Sequence, residues 1–227
     1  MKIYSKILIS FVLLLAITPA FSQSIKGAVM FGTNVSQVDG DEVFGFKHWG
    51  FNVGASAIIP LKNKNWSIVL ETIFSQKGAY EKYSPENDDS IPYYRLNLDY
   101  VEVPLLIQYN EKNVFTVGTG LSWGQLIEFK EIEHGNETPS NNAYGPYNRN
   151  DLDWLLDLRF RLYQKLHFNV RYAYSIAKIR TRTYTKLNSN TTWNRNQYNN
   201  FITFRLIYIF NETVPIKKKG KSSKKKK

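Results

Sequence analysis

Asp151 to Leu162, DLDWLLDLRFRL, restricts the fold more than any other stretch of the chain. With a period of two, Leu152, Trp154, Leu156, Leu158, Phe160 and Leu162 share one face. Asp151, Asp153, Leu155, Asp157, Arg159 and Arg161 share the other. Successive side chains leave opposite faces of a pleated strand, so the alternation reads as β-structure. A helix would spread the same charges around its circumference. The run also outlasts the ~5–6 residues usual in a soluble strand. At ~3.3 Å per residue and a tilt of about 40°, roughly ten residues cross the apolar slab of a membrane. The stretch is therefore expected to be a transmembrane strand, apolar towards lipid and charged towards an interior.

About eight such strands recur, which predicts an all-β fold: a closed, antiparallel, eight-stranded transmembrane barrel. Ile25–Gln37 carries Val29, Phe31, Thr33 and Val35 on one face. Phe46–Ile59 turns Trp49, Phe51, Val53, Ala55, Ala57 and Ile59 out against His48, Gly50, Asn52, Gly54 and Ser56. Trp66–Gln76 points Glu71 inward, and Asp99–Tyr109 points Glu102 and Gln108 inward. Val114–Ile127 sets Phe115, Val117, Leu121 and Trp123 against Gly118, Gly120, Ser122 and Gly124. Beyond the opening stretch, Leu166–Ala177 turns His167, Asn169, Arg171 and Ser175 inward, and Asn199–Phe210 does so with Thr203 and Arg205.

Link lengths separate this reading from a soluble sandwich. Short links at Pro60–Asn65, Asn110–Asn113 and Tyr163–Lys165 alternate with longer ones at Val38–Gly45, Gly78–Leu98, Glu128–Asn150 and Lys178–Tyr198. Short periplasmic turns and long outer loops characterise outer-membrane barrels. Trp49, Trp66, Tyr109, Trp123, Tyr174 and Phe210, near strand ends, fit the aromatic girdles of such barrels. Pro104 breaks the pattern: it offers no N–H to a ladder, so a bulge or weakened pairing is expected there.

The chain of 227 residues divides as 1–22, 23–212 and 213–227. Lys2 and Lys6, the apolar run Ile7–Ile17 and the small residues of Ala20-Phe21-Ser22 read as a secretory signal peptide. Two of the eleven net positive charges belong to Lys2 and Lys6, and eight to the tail, which leaves the body at +1. The tail lysines are Lys217, Lys218, Lys219, Lys221, Lys224, Lys225, Lys226 and Lys227. This segment is too poor in apolar residues to fold alone. It is expected to be a disordered periplasmic end, either merely solubilising or able to dock an acidic partner. Basicity confined to one short segment argues against a nucleic-acid-binding face. No cysteine is present, which excludes disulfide and thiolate chemistry.

An eight-stranded barrel is just wide enough for side chains to fill it. Inward glycines leave room for Glu71, Glu102, Asp157, Arg159, Arg161, Arg171 and Arg205, which are expected to form an acid–arginine network plugging the lumen, since unpaired buried charges are costly. His48, His134 and His167 lack metal-ligand spacing, and Asp39, Asp41 and Glu42 lack an EF-hand ligand series. Gly118-Thr119-Gly120 with Gly124 is not a dinucleotide fingerprint. A membrane-embedded hydrolase needs a nucleophile within reach of its base, and no serine and histidine are placed by sequence to meet that need. No catalytic residue, metal, cofactor, nucleic acid or small-molecule substrate is therefore expected.

Val38-Asp39-Gly40-Asp41, Trp49-Gly50-Phe51-Asn52-Val53-Gly54, Ser75-Gln76-Lys77-Gly78 and Tyr100-Val101-Glu102-Val103-Pro104-Leu105-Leu106 resemble the PorT-family outer-membrane barrels of Bacteroidetes. The SQKG and YxEVPLL patterns are shared widely among such barrels. The VDGD region and the lysine-rich end are closer to the PorT branch. The resemblance implies an outer-membrane, non-enzymatic accessory of the type IX secretion system, whose partners are membrane lipid and the proteins of a secretion machine. It would be needed for export of sorting-domain cargo and, in gliding species, of surface adhesins. It brings no catalytic residues, and it makes Pro104 part of a recurring pattern. The alternatives are a structural or adhesive barrel acting through tyrosine- and asparagine-rich loops, and a lipid-modifying barrel enzyme.

Overall fold

The computed structural model describes residues 25–212 apart from 64, 83–93, 113, 134, 140–141, 143 and 186–190. The expected signal peptide, the lysine tail and His134 lie outside the described residues. Ten strands follow in order: β1 (Lys26–Asp39), β2 (His48–Pro60), β3 (Trp66–Glu81), β4 (Tyr94–Glu111), β5 (Phe115–Glu133), β6 (Asn136–Glu137), β7 (Asn150–Tyr163), β8 (Leu166–Ser175), β9 (Arg180–Thr185) and β10 (Thr192–Ile209). Eight of them form a ring in the order β1-β2-β3-β4-β5-β7-β8-β10, all antiparallel. The ring closes where β10 pairs β1 from Ala28↔Ile209 to Asp39↔Tyr198. The closed eight-stranded barrel expected from the alternation is thus the architecture the chain adopts. β6 and β9 are additions at one end, pairing only the ends of β5 and β10.

The strands overrun their sequence-based limits at the end with the long links. β3 and β4 stay paired up to Glu81↔Tyr94, inside the Gly78–Leu98 segment expected to be a link. β5 continues to Glu133, and β10 begins at Thr192. The reason is a change of phase. Low on β4, Val103, Leu105 and Ile107 are exposed on the outside while Glu102 and Gln108 are buried inside. Higher up, Tyr94, Leu96 and Leu98 are buried inside, and polar Arg95, Asn97 and Asp99 take the outward positions. Lipid is the apolar phase for the lower barrel, whereas water surrounds the upper part, which therefore buries its own apolar core. One strand thus carries two hydrophobic patterns in opposite phase, and a single-phase reading stops at the join.

Pro104 faces inward and pairs with Ser122 on β5. On its other side the β3–β4 ladder passes from Leu70↔Leu105 directly to Ile73↔Glu102. The missing proline N–H weakens pairing there. The irregularity between β4 and β5 lies elsewhere, at Asp99/Tyr100.

Candidate functional site in the barrel lumen

The lumen is filled in layers. In the middle layer β3, β7, β8 and β10 deliver Glu71, Asp157, Arg171 and Arg205 to one point. Arg171 grips Glu71 through Nη1 and Nη2 at 2.8 and 2.9 Å, and donates from Nε to Asp157 at 2.8 Å. Arg205 reaches Glu71 at 3.2 Å and Asp157 at 3.5 Å. All four are nearly inaccessible to solvent. Two cations face two anions, and Asn169 accepts a further hydrogen bond from Arg205 Nε at 2.8 Å.

Glu102 stands apart from that group, in an upper layer built on Lys77. The Lys77 ammonium lies 2.7 Å from Glu102, 2.7 Å from Asp153 and 3.2 Å from Asp151. The rings of Tyr100 and Phe201 cover it at 4.7 and 4.4 Å. Ser175 Oγ lies 2.8 Å from Asp151 Oδ1 and 3.0 Å from Asp153 Oδ1, and Asn199 donates to Asp151 at 2.7 Å. Gly124 makes the layer possible: a Cβ there would stand 3.2 Å from Glu102 Cγ. Above it, Val38, Ala79, Leu96, Leu98, Leu126, Tyr147 and Ile179 form an apolar cap.

The remaining expected lumen residues lie lower. Arg159 is buried, donates to Thr116 Oγ1 at 3.5 Å, and has no carboxylate at ion-pair distance among the described residues. Arg161 lies at the lower mouth, 2.6 Å from Glu212, which His167 Nε2 also meets at 2.6 Å. Burial pushes the Glu212 carboxyl up, but the His167 hydrogen bond and the charges of His167, Arg161 and Lys26 outweigh it and hold it below the usual range.

A serine–histidine contact is present that the sequence did not reveal. Ser36 Oγ lies 3.0 Å from His48 Nδ1, and His48 Nε2 lies 2.9 Å from Asn97 Oδ1. Ser36 also donates to the Gly78 carbonyl at 2.9 Å and accepts from the Gly78 N–H at 3.0 Å. The β2–β3 pairing reaches only Asn52↔Ser75, so Ser36 serves the backbone of Gly78 beyond the end of that ladder. With both Gly78 contacts made and 1% exposure, its oxygen has no open approach for an acyl carbon. The trio braces the wall. Among the described residues, no group of three or more His, Asp or Glu is placed to hold a metal.

Over the upper mouth, the β9–β10 hairpin is fastened by Arg180–Glu131 at 2.9 Å and Arg182–Glu133 at 2.7 Å. Tyr184 donates to the Gly40 carbonyl at 3.3 Å. Asp41, in the β1–β2 link, bonds the Val43 N–H through Oδ1, while its buried Oδ2 has no partner. Burial, reinforced by Asp39, pushes its carboxyl up to about 7, against the weaker pull of the Val43 bond and Arg182.

An apolar outer wall, a side-chain-filled lumen and a strand ring without edges define a transmembrane β-barrel of the bacterial outer membrane. The chain belongs to the outer membrane protein beta-barrel domain family, whose model matches residues 21–180. Among solved structures, it is similar to Neisserial surface protein A at a TM-score of 0.48 and 11% identity, covering 81% of this chain and 97% of that one. It is similar to Ail of Yersinia pestis at 0.45 and 14%, covering 82% and 99%. A major outer membrane protein of Thermus thermophilus matches at 0.46 and 12%, covering 82% and 100%. A search of curated proteins finds no match.

Proposed function

We propose that this barrel is a non-enzymatic accessory of protein export by the type IX secretion system, acting through contacts at its loops, lipid-facing wall and lysine tail. The observation that carries the reading is the filled lumen. Two buried ionic layers and an apolar cap leave no path for a polypeptide, so any part in export is played from the outer surface. The VDGD segment and the lysine-rich end support the secretion branch in particular, while SQKG and YVEVPLL support the wider barrel class. The saturated hydroxyl of Ser36 supports a role without catalysis. The tail from Lys217 to Lys227 offers a docking segment for an acidic periplasmic partner, at a range of about 8 Å in physiological salt. Deleting the gene and profiling secreted proteins tests the reading: sorting-domain cargo is expected to be retained in the cell. Unchanged export removes the secretion role and leaves a structural or adhesive barrel.

A further inference from the structure

We propose that the outward face of the β9–β10 hairpin binds the sugar headgroups of the outer-leaflet glycolipid surrounding the barrel. One face of β10 changes character along its length. From the periplasmic end upward it presents Tyr208, Leu206, Phe204 and Ile202, then Asn200, which is buried and donates to Asp39 at 3.2 Å, then Tyr198, and then Asn196, Asn194 and Thr192. The apolar part lies against acyl chains, and Tyr198, stacked on Tyr174 at 6.2 Å, marks the interfacial girdle. The residues above it on the same wall stand at the level of the headgroups. This polar face therefore continues an interface with lipid that the barrel already has.

Its chemistry is uniform. Pairing of Thr181 with Asn196, Thr183 with Asn194 and Thr185 with Thr192 places only hydroxyls and amides on this side. Thr181 donates to Asn196 Oδ1 at 2.9 Å and Thr183 to Asn194 Oδ1 at 2.6 Å. These bonds fix each amide so that its NH₂ group is left to donate to a ligand, while each threonine oxygen keeps acceptor capacity. All six side chains are exposed. The opposite side of the same hairpin holds Arg180, Arg182 and Arg195, turned to Glu131, Glu133 and Glu42. Outward positions at the same level on β4 and β5 are charged too, with Arg95, Asp99, Glu128 and Lys130. A neutral row of fixed donors and acceptors suits a hydroxyl-rich, uncharged saccharide and not a phosphate or a carboxylate.

The test titrates the folded full-length chain in detergent with lipopolysaccharide carrying its core sugars, and in parallel with lipid A lacking them. Threonine-methyl NMR supplies the local readout. Methyl signals of Thr181, Thr183, Thr185 and Thr192 are expected to shift with the sugar-bearing form only. Replacing Thr181, Thr183, Asn194 and Asn196 by Ala is expected to weaken binding about tenfold, the equivalent of one or two net hydrogen bonds. Heat-modifiable gel mobility checks that the variant folds. The single exposed change Thr183→Val, which removes the hydroxyl without adding charge and leaves the hairpin's ion pairs in place, is expected to weaken binding as well. Equal affinity for lipid A, unchanged affinity in both variants, or an equal loss on Glu128→Gln across the barrel overturns the assignment.

Discussion

The two buried ionic layers of the lumen solve the same problem with different arithmetic. In the middle layer two arginines meet Glu71 and Asp157, and each carboxylate touches both guanidinium groups. In the upper layer three carboxylates gather around the one ammonium of Lys77. The first layer is redundant, because losing one cation leaves the other in contact with both acids. The second hangs on one side chain, with Ser175, Asn199 and two aromatic rings completing its shell. Arginine suits the shared layer, since its planar fork can serve two carboxylates at once, whereas a compact ammonium can sit at the centre of three.

The largest effect is expected from Lys77→Met. It strands three carboxylates in a space closed to water, and the expected loss is about 5 kcal/mol, the upper end for an uncompensated buried charge. Urea unfolding of the detergent-solubilised barrel, read by heat-modifiable mobility, measures it. Adding Asp151→Asn and Asp153→Asn is expected to restore much of the loss, because the three sites are in contact and non-additive. Arg205→Met in the middle layer is expected to cost less, about 3 kcal/mol, since Arg171 keeps both acids paired. Equal losses in Lys77→Met and Arg205→Met would show that redundancy is not what separates the layers.

The contrast also explains what could be read in advance. Glu71, Asp157, Arg171 and Arg205 lie mid-strand, where apolar and polar residues alternate cleanly, so a period of two places them inward. Lys77 obeys the same period after Glu71, Ile73 and Ser75, but it sits next to Gly78, whose identity signals a turn and not a continuing strand. The change of phase above the membrane hides the rest: inward Leu96 and Leu98 and outward Arg95 and Asn97 reverse the code that works below. Ser36, Asn34 and Asn199 escape for another reason. They are small neutral polar residues whose partners, Gly78, Ser75 and Asp151, are settled only by barrel closure.

Asp41 extends the comparison to a buried carboxylate outside the membrane with no cation at ion-pair distance among the described residues. Its folded-state value of about 7 stands above the unfolded 3.8, so the folded loop holds a proton that the unfolded chain has released. Stability from this group is therefore fully present below about pH 4 and is lost as pH rises through about 7. The expected drop in stability of the outer cap is on the order of 2–3 kcal/mol, read as faster proteolysis of the β1–β2 link at pH 8 than at pH 5 in intact barrels. Asp41→Asn is expected to flatten that dependence. A dependence of the same size in the variant would assign it to another group.

The smallest effect belongs to the lower mouth, where Glu212 lies just past the end of β10 and serves a partly exposed Arg161 and a buried His167. Arg161 opens this cluster to water on one side, so its pairs are screened more than those of the lumen layers, and Glu212→Gln is expected to cost about 1–2 kcal/mol, less than either lumen variant. Glu212 is held below its usual range, so its contribution is present near neutral pH and lost as pH falls through its lowered folded value. Salt separates this site from the two layers above it. Raising ionic strength to about 1 M, where the screening length falls to about 3 Å, is expected to shrink the Glu212→Gln difference and leave those of Lys77→Met and Arg205→Met in place. If the lumen variants lost their penalty as well, water would have to reach the layers, and the sealed lumen on which the proposed surface-acting role depends would be wrong.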